Sequence, residues 1–364
     1  MASKKTGIGV IVVIIILLLG FLYLPGLHLN NPTNLPHQMH GQLTGQEAIA
    51  DSTLYDVGGT DLGIIVKHGT EFLFFFGDTF STPYLSGNWR SNTMAKSSDT
   101  YPSDGITLDE WIVNPTTGLA KELISSLKID FEEVTCIPTT AVSIDGTLYV
   151  YYMSVIHWSE IGGIWTCNNA SIAVSTDNGQ SFSKIDNISW TGDSNFILFS
   201  IVQPYDGLDD YLYLLSTPAG RFGSCYLSRV NPSSILNITE YRYFSGLSPS
   251  EEPTWSSAPN DASPIFPSPV GEVSIMWNEY LEKWTVFYTD NEEFSIVLRT
   301  ADSLWGIWSD PIAIVDADEF PSLYGSYTHP DLVENNGEIV YFIMSIFNQY
   351  NTFVMSVDLS SLHS

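Results

Sequence analysis

Three carboxylates lie at the ends of strand-like apolar runs, where a purely structural β-repeat would carry small or apolar side chains. Asp61 and Glu272 each precede such a run, and Asp78 ends the phenylalanine-rich run of residues 72–77. One protonated and one ionised carboxyl group beside a sugar can hydrolyse its glycosidic bond. A buried position near a second acid raises the pKa of a carboxyl group, as this chemistry requires. We therefore predict that Asp61, Glu272 and Asp78 are catalytic residues.

The elements that must position these acids are short β-strands. After residue 50, β-rich runs alternate with Gly, Asn, Asp and Pro turns, and three such runs form a unit. The unit recurs five times with a loose period of about 45–65 residues. This repetition predicts an all-β fold, a five-bladed β-propeller over residues 51–364. A pair of β-sandwiches would explain the strands but not their repeated order. The first runs of the five units are residues 61–66, 139–144, 196–202, 271–277 and 329–334.

The topology of a propeller selects further candidate residues. The first strand of each blade starts at one face, the second strand returns to that face, and the third departs from it. Side chains at these positions therefore surround one pocket, and polar residues recur there. We predict that six of them bind substrate: His329, Arg299, His157, Asp290, Asn348 and Asn92.

The charge balance excludes several functions. The 364 residues include 13 Lys and Arg against 41 Asp and Glu, which gives a formal net charge of −28. Binding to nucleic acid needs clustered Lys and Arg, so we expect no nucleic-acid partner. The same deficit argues against docking of the folded domain on an anionic membrane surface. Hydrophobic residues make up 44% of the chain, which is enough to build a large core.

The N-terminal segment predicts a membrane anchor. Lys4 and Lys5 precede an almost unbroken apolar run that is long enough to cross a bilayer as a helix. We predict a cytoplasmic stub at residues 1–6, a transmembrane signal anchor at 7–25 and a polar stalk at 26–50. The folded domain would then lie outside the cell, at its surface. The alternative is a cleaved signal peptide and a secreted domain.

Sequons and cysteines bear on this exterior location. Cys167 and Cys225 open the third runs of adjacent units, so a disulfide between them is conceivable and would leave Cys136 free. The predicted chemistry needs no cofactor, although acids that converge on a channel would suit a structural calcium ion. N-x-[ST] sequons, which are glycosylation acceptors in exported proteins, occur at Asn169, Asn187 and Asn237.

One local motif is specific for a propeller but not for catalysis. Residues 175–182 fit the pattern S-x-D-x-G-x-[ST]-[FW], the Asp box of sialidase-like propellers. Asp177 can accept hydrogen bonds from turn amides, and Gly179 permits an unusual backbone angle. The motif joins the third and fourth strands, away from the predicted pocket. We therefore interpret Asp177 as a structural residue.

Several motifs together resemble the endo-D-arabinanase family of glycoside hydrolases, five-bladed propellers first catalogued as a domain of unknown function. The similarity extends over roughly residues 50–360, with Val273 where the family usually has Leu. It implies cleavage of α-linked D-arabinofuranose polymers or of a related surface glycan. The motifs are TDLG at residues 60–63, FGDTF at 76–80, GEVS at 271–274, VLRTA at 297–301, WGIWS at 305–309 and YGSYTHP at 324–330.

The resemblance also implies roles for the three acids. In neighbouring arabinan-active propellers an Asp acts as base, a Glu acts as acid and a second Asp tunes the pKa. Carried over, Asp61 would activate water, Glu272 would protonate the leaving oxygen and Asp78 would keep Glu272 protonated. Arg299 or His329 would hold substrate hydroxyls. A membrane-anchored propeller that binds glycans or mediates adhesion without turnover is the alternative, and a structural surface-layer component is a third possibility.

Overall fold

The computed structural model describes residues 34–203 and 208–363, and in these residues twenty-two strands form five antiparallel sheets. The first strand of the chain is β1 (His37–Gln42). Blade one contains β2 (Leu62–His68), β3 (Glu71–Phe76), β4 (Thr93–Ser97) and β5 (Glu110–Trp111). Blade two contains β6 (Thr135–Ile144), β7 (Thr147–Trp158), β8 (Trp165–Ser175) and β9 (Ser183–Thr191).

The remaining strands build three further blades. Blade three contains β10 (Leu198–Ile201), β11 (Leu212–Thr217), β12 (Gly223–Val230), β13 (Arg242–Leu247), β14 (Pro253–Ser256) and β15 (Pro264–Val270). Blade four contains β16 (Val273–Asn278), β17 (Lys283–Asp290), β18 (Ser295–Ala301) and β19 (Ile312–Asp316). Blade five contains β20 (Leu323–Glu334), β21 (Ile339–Ile346) and β22 (Asn351–Asp358), and β1 is its outermost strand.

The first strands of the blades meet around one axis. β2 contacts β6, β6 contacts β10, β10 contacts β16, β16 contacts β20, and β20 contacts β2 again. This cyclic order closes the ring, so the predicted five-bladed β-propeller is confirmed. The two faces of β3 pack against neighbouring blades, with Phe72 against His329 of blade five and Phe75 against Phe182 of blade two. Phe72 to Phe76 are therefore all buried, although they point alternately to opposite faces.

The predicted polar stalk is wrong for the part of it that the structure describes. β1 pairs antiparallel with β22, and the flanking Leu35 and Leu43 are buried in the core. A strand from the start of the chain thus completes the last blade, although its mixture of His, Gln and Gly gives no clear β signal. The predicted stub and anchor lie outside the described residues. No helix within residues 34–203 or 208–363 is long and apolar enough to cross a membrane.

The bridge between Cys167 and Cys225 that the sequence left open does not form. Cys136, Cys167 and Cys225 are free and buried. The Cys167 sulfur lies 4.0 Å from the Met153 sulfur. Burial raises the pKa of the Cys167 thiol to about 12. Cys167 lies in β8 and Cys225 in β12, and these strands belong to different sheets. A place near the start of the third strand in two adjacent blades therefore does not bring the two sulfurs together.

The turn at residues 175–182 lies between β8 and β9 and is held by Asp177. Its Oδ1 accepts hydrogen bonds from the Ser175 hydroxyl (2.7 Å) and the Ser181 amide (2.9 Å). Hydrogen bonds from Ser181 and Ser175 lower the pKa of Asp177 to about 2. Gly179 has φ 79°, and a Cβ there would lie 2.3 Å from Met94. These contacts serve the turn rather than a substrate.

Candidate active site

The three predicted acids lie together at one end of the inner strands. Asp61 immediately precedes β2, Asp78 follows β3, and Glu272 immediately precedes β16. The charges of Asp78 and Glu272 both raise the pKa of Asp61, so the three side chains share one electrostatic environment. The sequence-based expectation that these acids gather at one face is therefore met by the geometry. Their chemical roles remain predictions.

Asp61 is held by the strand ends around it. Its Oδ2 accepts a hydrogen bond of 2.8 Å from the Tyr324 hydroxyl, and its backbone oxygen accepts one of 3.1 Å from the Gly77 amide. Its Oδ1 is buried without a hydrogen-bond partner. A Cβ at Gly77 would lie 2.3 Å from this oxygen, so residue 77 must be glycine for the carboxyl group to fit. An unpaired buried acceptor at this position is available to a ligand.

The backbone beside Asp61 is strained. Leu62 has φ 73°, in the left-handed region that a leucine rarely adopts, and Gly63 has φ 90°. The register of β2 against β3 shifts between Leu62 and Ile64, which is a β-bulge. The Ser345 hydroxyl of the last blade accepts a hydrogen bond of 2.9 Å from the Leu62 amide, which stabilises this backbone conformation. Bulges of this kind re-aim side chains near functional sites, and this one lies directly beside Asp61.

Burial gives Asp61 an ionisation near neutral pH. Desolvation and, after it, the charge of Asp78 raise the pKa of Asp61 to about 7, against the hydrogen bond from Tyr324 that lowers it. Glu272 adds to the rise and Arg221 opposes it. A carboxyl group in this range can hold a proton at neutral pH and still release it, as a general acid must.

Asp78 has two good hydrogen-bond donors. It is 8% exposed, and its Oδ1 accepts from the Trp89 ring nitrogen (2.7 Å) and the Thr135 hydroxyl (2.6 Å). Burial raises the pKa of Asp78 to about 6, although both hydrogen bonds and the charge of Lys128 lower it. The Lys128 ammonium lies 4.7 Å from the centre of the Trp89 ring. Sequence reasoning identified Asp78 but none of these partners.

Glu272 forms a bidentate ion pair. The Arg221 Nε lies 2.9 and 3.0 Å from its two carboxylate oxygens, and Arg221 Nη2 lies 2.7 Å from Oε1. Glu272 is only 7% exposed, and the guanidinium stacks over the Tyr324 ring at 4.6 Å. Both oxygens of the Glu272 carboxyl group are therefore bonded to one guanidinium, and such bidentate pairs fix the geometry of both partners. Arg221 was not among the catalytic or substrate-binding residues predicted from the sequence.

Three tyrosines complete the wall of the site. Tyr324, Tyr327 and Tyr350 are each about 95% buried, with exposures of 4%, 5% and 5%. Burial, and then the charge of Asp61, raise the pKa of Tyr324 and of Tyr350 well above the ordinary value. Tyr327 was not selected from the sequence, because the first strand of the fifth unit was expected to begin at His329.

Below the acids the central channel is almost filled. Leu62, Pro138, Phe199, Glu272 and Tyr327 are among the residues that line a cavity of about 20 Å³ there. This volume is too small to hold a sugar ring.

Three of the six predicted substrate-binding residues lie on this face. His157 Nδ1 donates a 2.7 Å hydrogen bond to the Asp130 carboxylate, and the His157 ring stacks on Phe131 at 4.2 Å. Asn348 is exposed in the turn after β21. Asp290 lies at the end of β17. Its Oδ1 accepts hydrogen bonds from the amides of Glu292 (3.0 Å) and Glu293 (3.1 Å), which hold the following turn. His157 and Asn348 remain predicted substrate contacts.

The structure contradicts the prediction for Asn92 and Arg299. Asn92 is fully buried, and its amide makes four hydrogen bonds to backbone groups of Leu123, Ile124 and Cys136. Arg299 donates to the Tyr288 hydroxyl (2.9 Å) and the Ser309 carbonyl (2.6 Å) within blade four. Both residues therefore hold parts of the fold in place, and neither side chain is free for a substrate.

The prediction for His329 is wrong because the register of the last inner strand was misplaced. β20 begins at Leu323, six residues before His329, so Tyr324 and Tyr327 lie where His329 was expected. His329 is buried near the far end of the channel, with Phe72 at 5.3 Å between ring centres. Desolvation lowers its pKa to about 4.

Metal binding has no support in the described ranges. No group of three or more His, Cys, Asp or Glu residues in residues 34–203 and 208–363 is arranged to hold a metal ion. The Arg221 guanidinium pairs with Glu272, and the Tyr324 hydroxyl donates a hydrogen bond to Asp61.

Comparison with known proteins gives a family. Residues 48–356 match the family described as "Domain of unknown function (DUF4185)". The chain belongs to the DUF4185 family. The match spans all five blades and includes Asp61, Asp78 and Glu272. No curated protein matches the sequence.

Solved structures similar to this DUF4185 chain share its fold at low sequence identity. One is a putative hydrolase from Bacteroides ovatus ATCC 8483, with a TM-score of 0.59, 11% identity, and coverage of 83% of this chain and 86% of that one. Another is the exo-beta-1,3-galactanase of Phanerochaete chrysosporium, with a TM-score of 0.54 and 14% identity. That comparison covers 89% of this chain and 65% of the galactanase. Both similarities concern the propeller fold.

Proposed function

We propose that this protein is a glycoside hydrolase and that Asp61, Asp78 and Glu272 are its catalytic acids. The observation that carries the proposal is the pairing of two different carboxyl environments at one open face. Asp61 has its pKa raised to about 7, whereas Glu272 is held by Arg221 in a bidentate ion pair. Two carboxyl groups whose environments separate their protonation are the usual basis of acid–base glycoside hydrolysis.

The electrostatics favour a division of roles opposite to the one that the family resemblance implied. Asp61 donates its proton to the glycosidic oxygen as the bond from that oxygen to the anomeric carbon breaks. Water supplies its oxygen to the anomeric carbon and gives a proton to the Glu272 carboxylate. Burial, and after it the charge of Asp78, raise the pKa of Asp61, so the proton stays on Asp61 until the substrate is bound. Transfer of a proton from Glu272 back to Asp61 restores the starting state.

The proposed substrate is a glycan with furanoside linkages, such as an arabinofuranose polymer similar to D-arabinan. Its support is the set of motifs shared with endo-D-arabinanases, of which TDLG, FGDTF and GEVS contain the three acids. We also propose that residues 7–25 anchor the domain at the outer cell surface, where such glycans occur.

A screen of furanans tests the proposal. Wild-type protein is incubated with D-arabinan, L-arabinan and galactan, and new reducing ends are measured. We expect release from at least one furanan, with a loss of at least about 10²-fold for Asp61→Asn and for Glu272→Gln. The matched control is Asp177→Asn, a carboxyl substitution in the β8–β9 turn, which should stay active. Binding of furanans without any reducing ends would overturn the hydrolase proposal in favour of a glycan-binding propeller.

A further inference from the structure

The face that carries the acids has an exposed apolar patch beside Arg221. The hairpin that joins β7 to β8 presents Trp158, Ile161 and Ile164, which are 38%, 62% and 41% exposed. Phe222, in the loop between β11 and β12, is 47% exposed. Both loops follow the second strand of their blade, so they lie on the same face as Asp78. We call these four side chains the apolar patch.

Specific contacts join the apolar patch to the acid cluster. The Gly163 carbonyl at the hairpin tip accepts a hydrogen bond of 2.9 Å from the Arg221 backbone amide. Gly163 also packs close to Phe222, since a Cβ at residue 163 would lie 3.3 Å from the Phe222 ring. Trp158 packs edge-on against Trp165 with 5.3 Å between ring centres. The Arg221 guanidinium lies 5.8 Å from the Trp165 ring and binds Glu272. The patch therefore continues directly from the site and is not an isolated surface feature.

The hairpin offers a sugar few hydrogen-bonding groups. Three of its backbone amides are used within the turn, two of them in backbone bonds: Ser159 donates to the Ile164 carbonyl (3.1 Å), and Ile164 donates to the Ile161 carbonyl (3.2 Å). The Ser159 hydroxyl accepts the Ile161 amide at 3.1 Å. Glu160 is the one charged residue between Trp158 and Trp165. Branched aliphatic side chains favour hydrocarbon over hydroxyl groups, because they gain only by removing apolar surface from water.

The loop of blade one, on the same face, has more hydroxyl and amide groups. Between β3 and β4 it carries four such side chains beside the exposed Tyr84 and the Trp89 ring, which stacks on Phe80 and donates to Asp78. Such a combination of a ring with hydroxyl and amide groups is what recognition of a sugar requires. The polar side chains of this loop are Ser81, Thr82, Ser86 and Asn88.

We propose that the substrate carries an alkyl or aryl group attached to the sugar, and that the apolar patch binds this group. The inference rests on the proposed glycosidase function and narrows its substrate class from plain polysaccharides to glycans or glycosides with an apolar substituent. The sugar lies over the three acids, and the substituent lies along Trp158, Ile161, Ile164 and Phe222. The patch acts in binding and leaves the bond-breaking groups unchanged.

A series of alkyl α-D-arabinofuranosides tests this assignment. Methyl, butyl and octyl glycosides are compared below the concentration at which the octyl compound forms micelles, and kcat and KM are measured separately. We expect KM to fall along the series by at least about tenfold in total, since each buried methylene is worth about threefold in affinity. The double variant Ile161→Ser, Ile164→Ser should raise KM for the octyl compound to near the methyl value. KM for the methyl compound and kcat should not change.

A control on the far face makes the test specific. Ile307, in the loop between β18 and β19, is 95% exposed and lies away from the acids, so Ile307→Ser should leave the whole series unchanged. Phe222→Ser is the second variant, to be used if the double variant does not fold. An octyl KM that equals the methyl KM in an active wild-type enzyme would overturn the patch assignment and leave the hydrolase proposal intact. A change of oligomeric state in the double variant would overturn it in favour of a contact between copies.

Direct binding separates the two proposals. The Asp61→Asn variant is titrated with octyl and methyl α-D-arabinofuranoside, and binding is followed by calorimetry. Tighter binding of the octyl compound, lost in the variant that also carries the two serine substitutions, supports the patch even if no glycoside is turned over. Equal binding of the two compounds overturns the patch assignment.

Discussion

At the scale of single residues, Asp61 is the most unusual group in the site. It combines a strained backbone neighbour, an unpartnered buried oxygen and two nearby acids. Each of these features raises the free energy of the folded protein, so their coincidence at one residue is expected of a functional site rather than of a structural one. The proposed role of Asp61 as proton donor rests on the same contacts.

The first prediction concerns the pH dependence of hydrolysis. The pKa of Asp61 is raised to about 7, so the fraction of enzyme with a proton on Asp61 falls as the pH rises through this value. We expect kcat/KM on an alkyl furanoside to be high at mildly acidic pH and to fall about tenfold per pH unit well above pH 7. The measurement is a pH–rate profile of the wild-type enzyme. A profile that rises through pH 7 would contradict the assignment of Asp61 as the acid.

The second prediction concerns the partner of Glu272. Arg221→Met removes the guanidinium and keeps much of the apolar stem, so Glu272 loses the groups that orient it. We expect kcat to fall by about 10²-fold with a smaller change in KM. Arg299→Met is the control, because that arginine serves Tyr288 and Ser309 in blade four. An equal loss of kcat in the two variants would mean that Arg221 affects activity only by stabilising the fold.

At the scale of elements, the ends of the strands decide which side chains form the site. Asp61 and Glu272 precede strands that begin where the repeat placed them, so both were predicted correctly to lie at the pocket face. β20 begins earlier than its sequence pattern suggests, because Gly325 with φ 69° and two register shifts let an irregular segment pair with β21. Because of this earlier start, Tyr324 lies in the site and His329, which was expected there, does not.

The third prediction concerns the strand that closes the ring. β1 pairs with β22 and brings buried Leu35 and Leu43 into the last blade. A chain that starts at residue 34 should keep the full stability of the domain, whereas one that starts at residue 44 should melt at least about 5 °C lower. Thermal unfolding followed by circular dichroism measures the difference. Equal melting temperatures would show that β1 does not contribute to the propeller.

At the scale of the whole molecule, the repeat in the sequence was enough to predict five blades and the face on which the acids lie. It could not give the direction of individual side chains in third strands, so Asn92 and Arg299 were wrongly placed near the substrate. It also could not show that β1 joins the end of the chain, because that pairing spans the whole sequence. The Arg221–Glu272 pair likewise depends on contact between two blades.

The fourth prediction concerns the net charge of −28. Acidic groups spread over one molecule repel each other, and salt screens this repulsion. We expect the melting temperature to rise by a few degrees between about 0.05 M and about 0.5 M sodium chloride. Differential scanning fluorimetry measures this shift, and a melting temperature that falls with added salt would contradict the expectation.

The most direct test of the acid–base site compares leaving groups. Hydrolysis of 4-nitrophenyl and of methyl α-D-arabinofuranoside is measured for wild type, Asp61→Asn and Glu272→Gln. A nitrophenolate leaves without a proton, so Asp61→Asn should lose at least about 10²-fold in kcat on the methyl compound and much less on the nitrophenyl compound. Glu272→Gln should lose activity on both compounds. The opposite pattern would assign the proton to Glu272, and full activity of both variants would contradict the site itself.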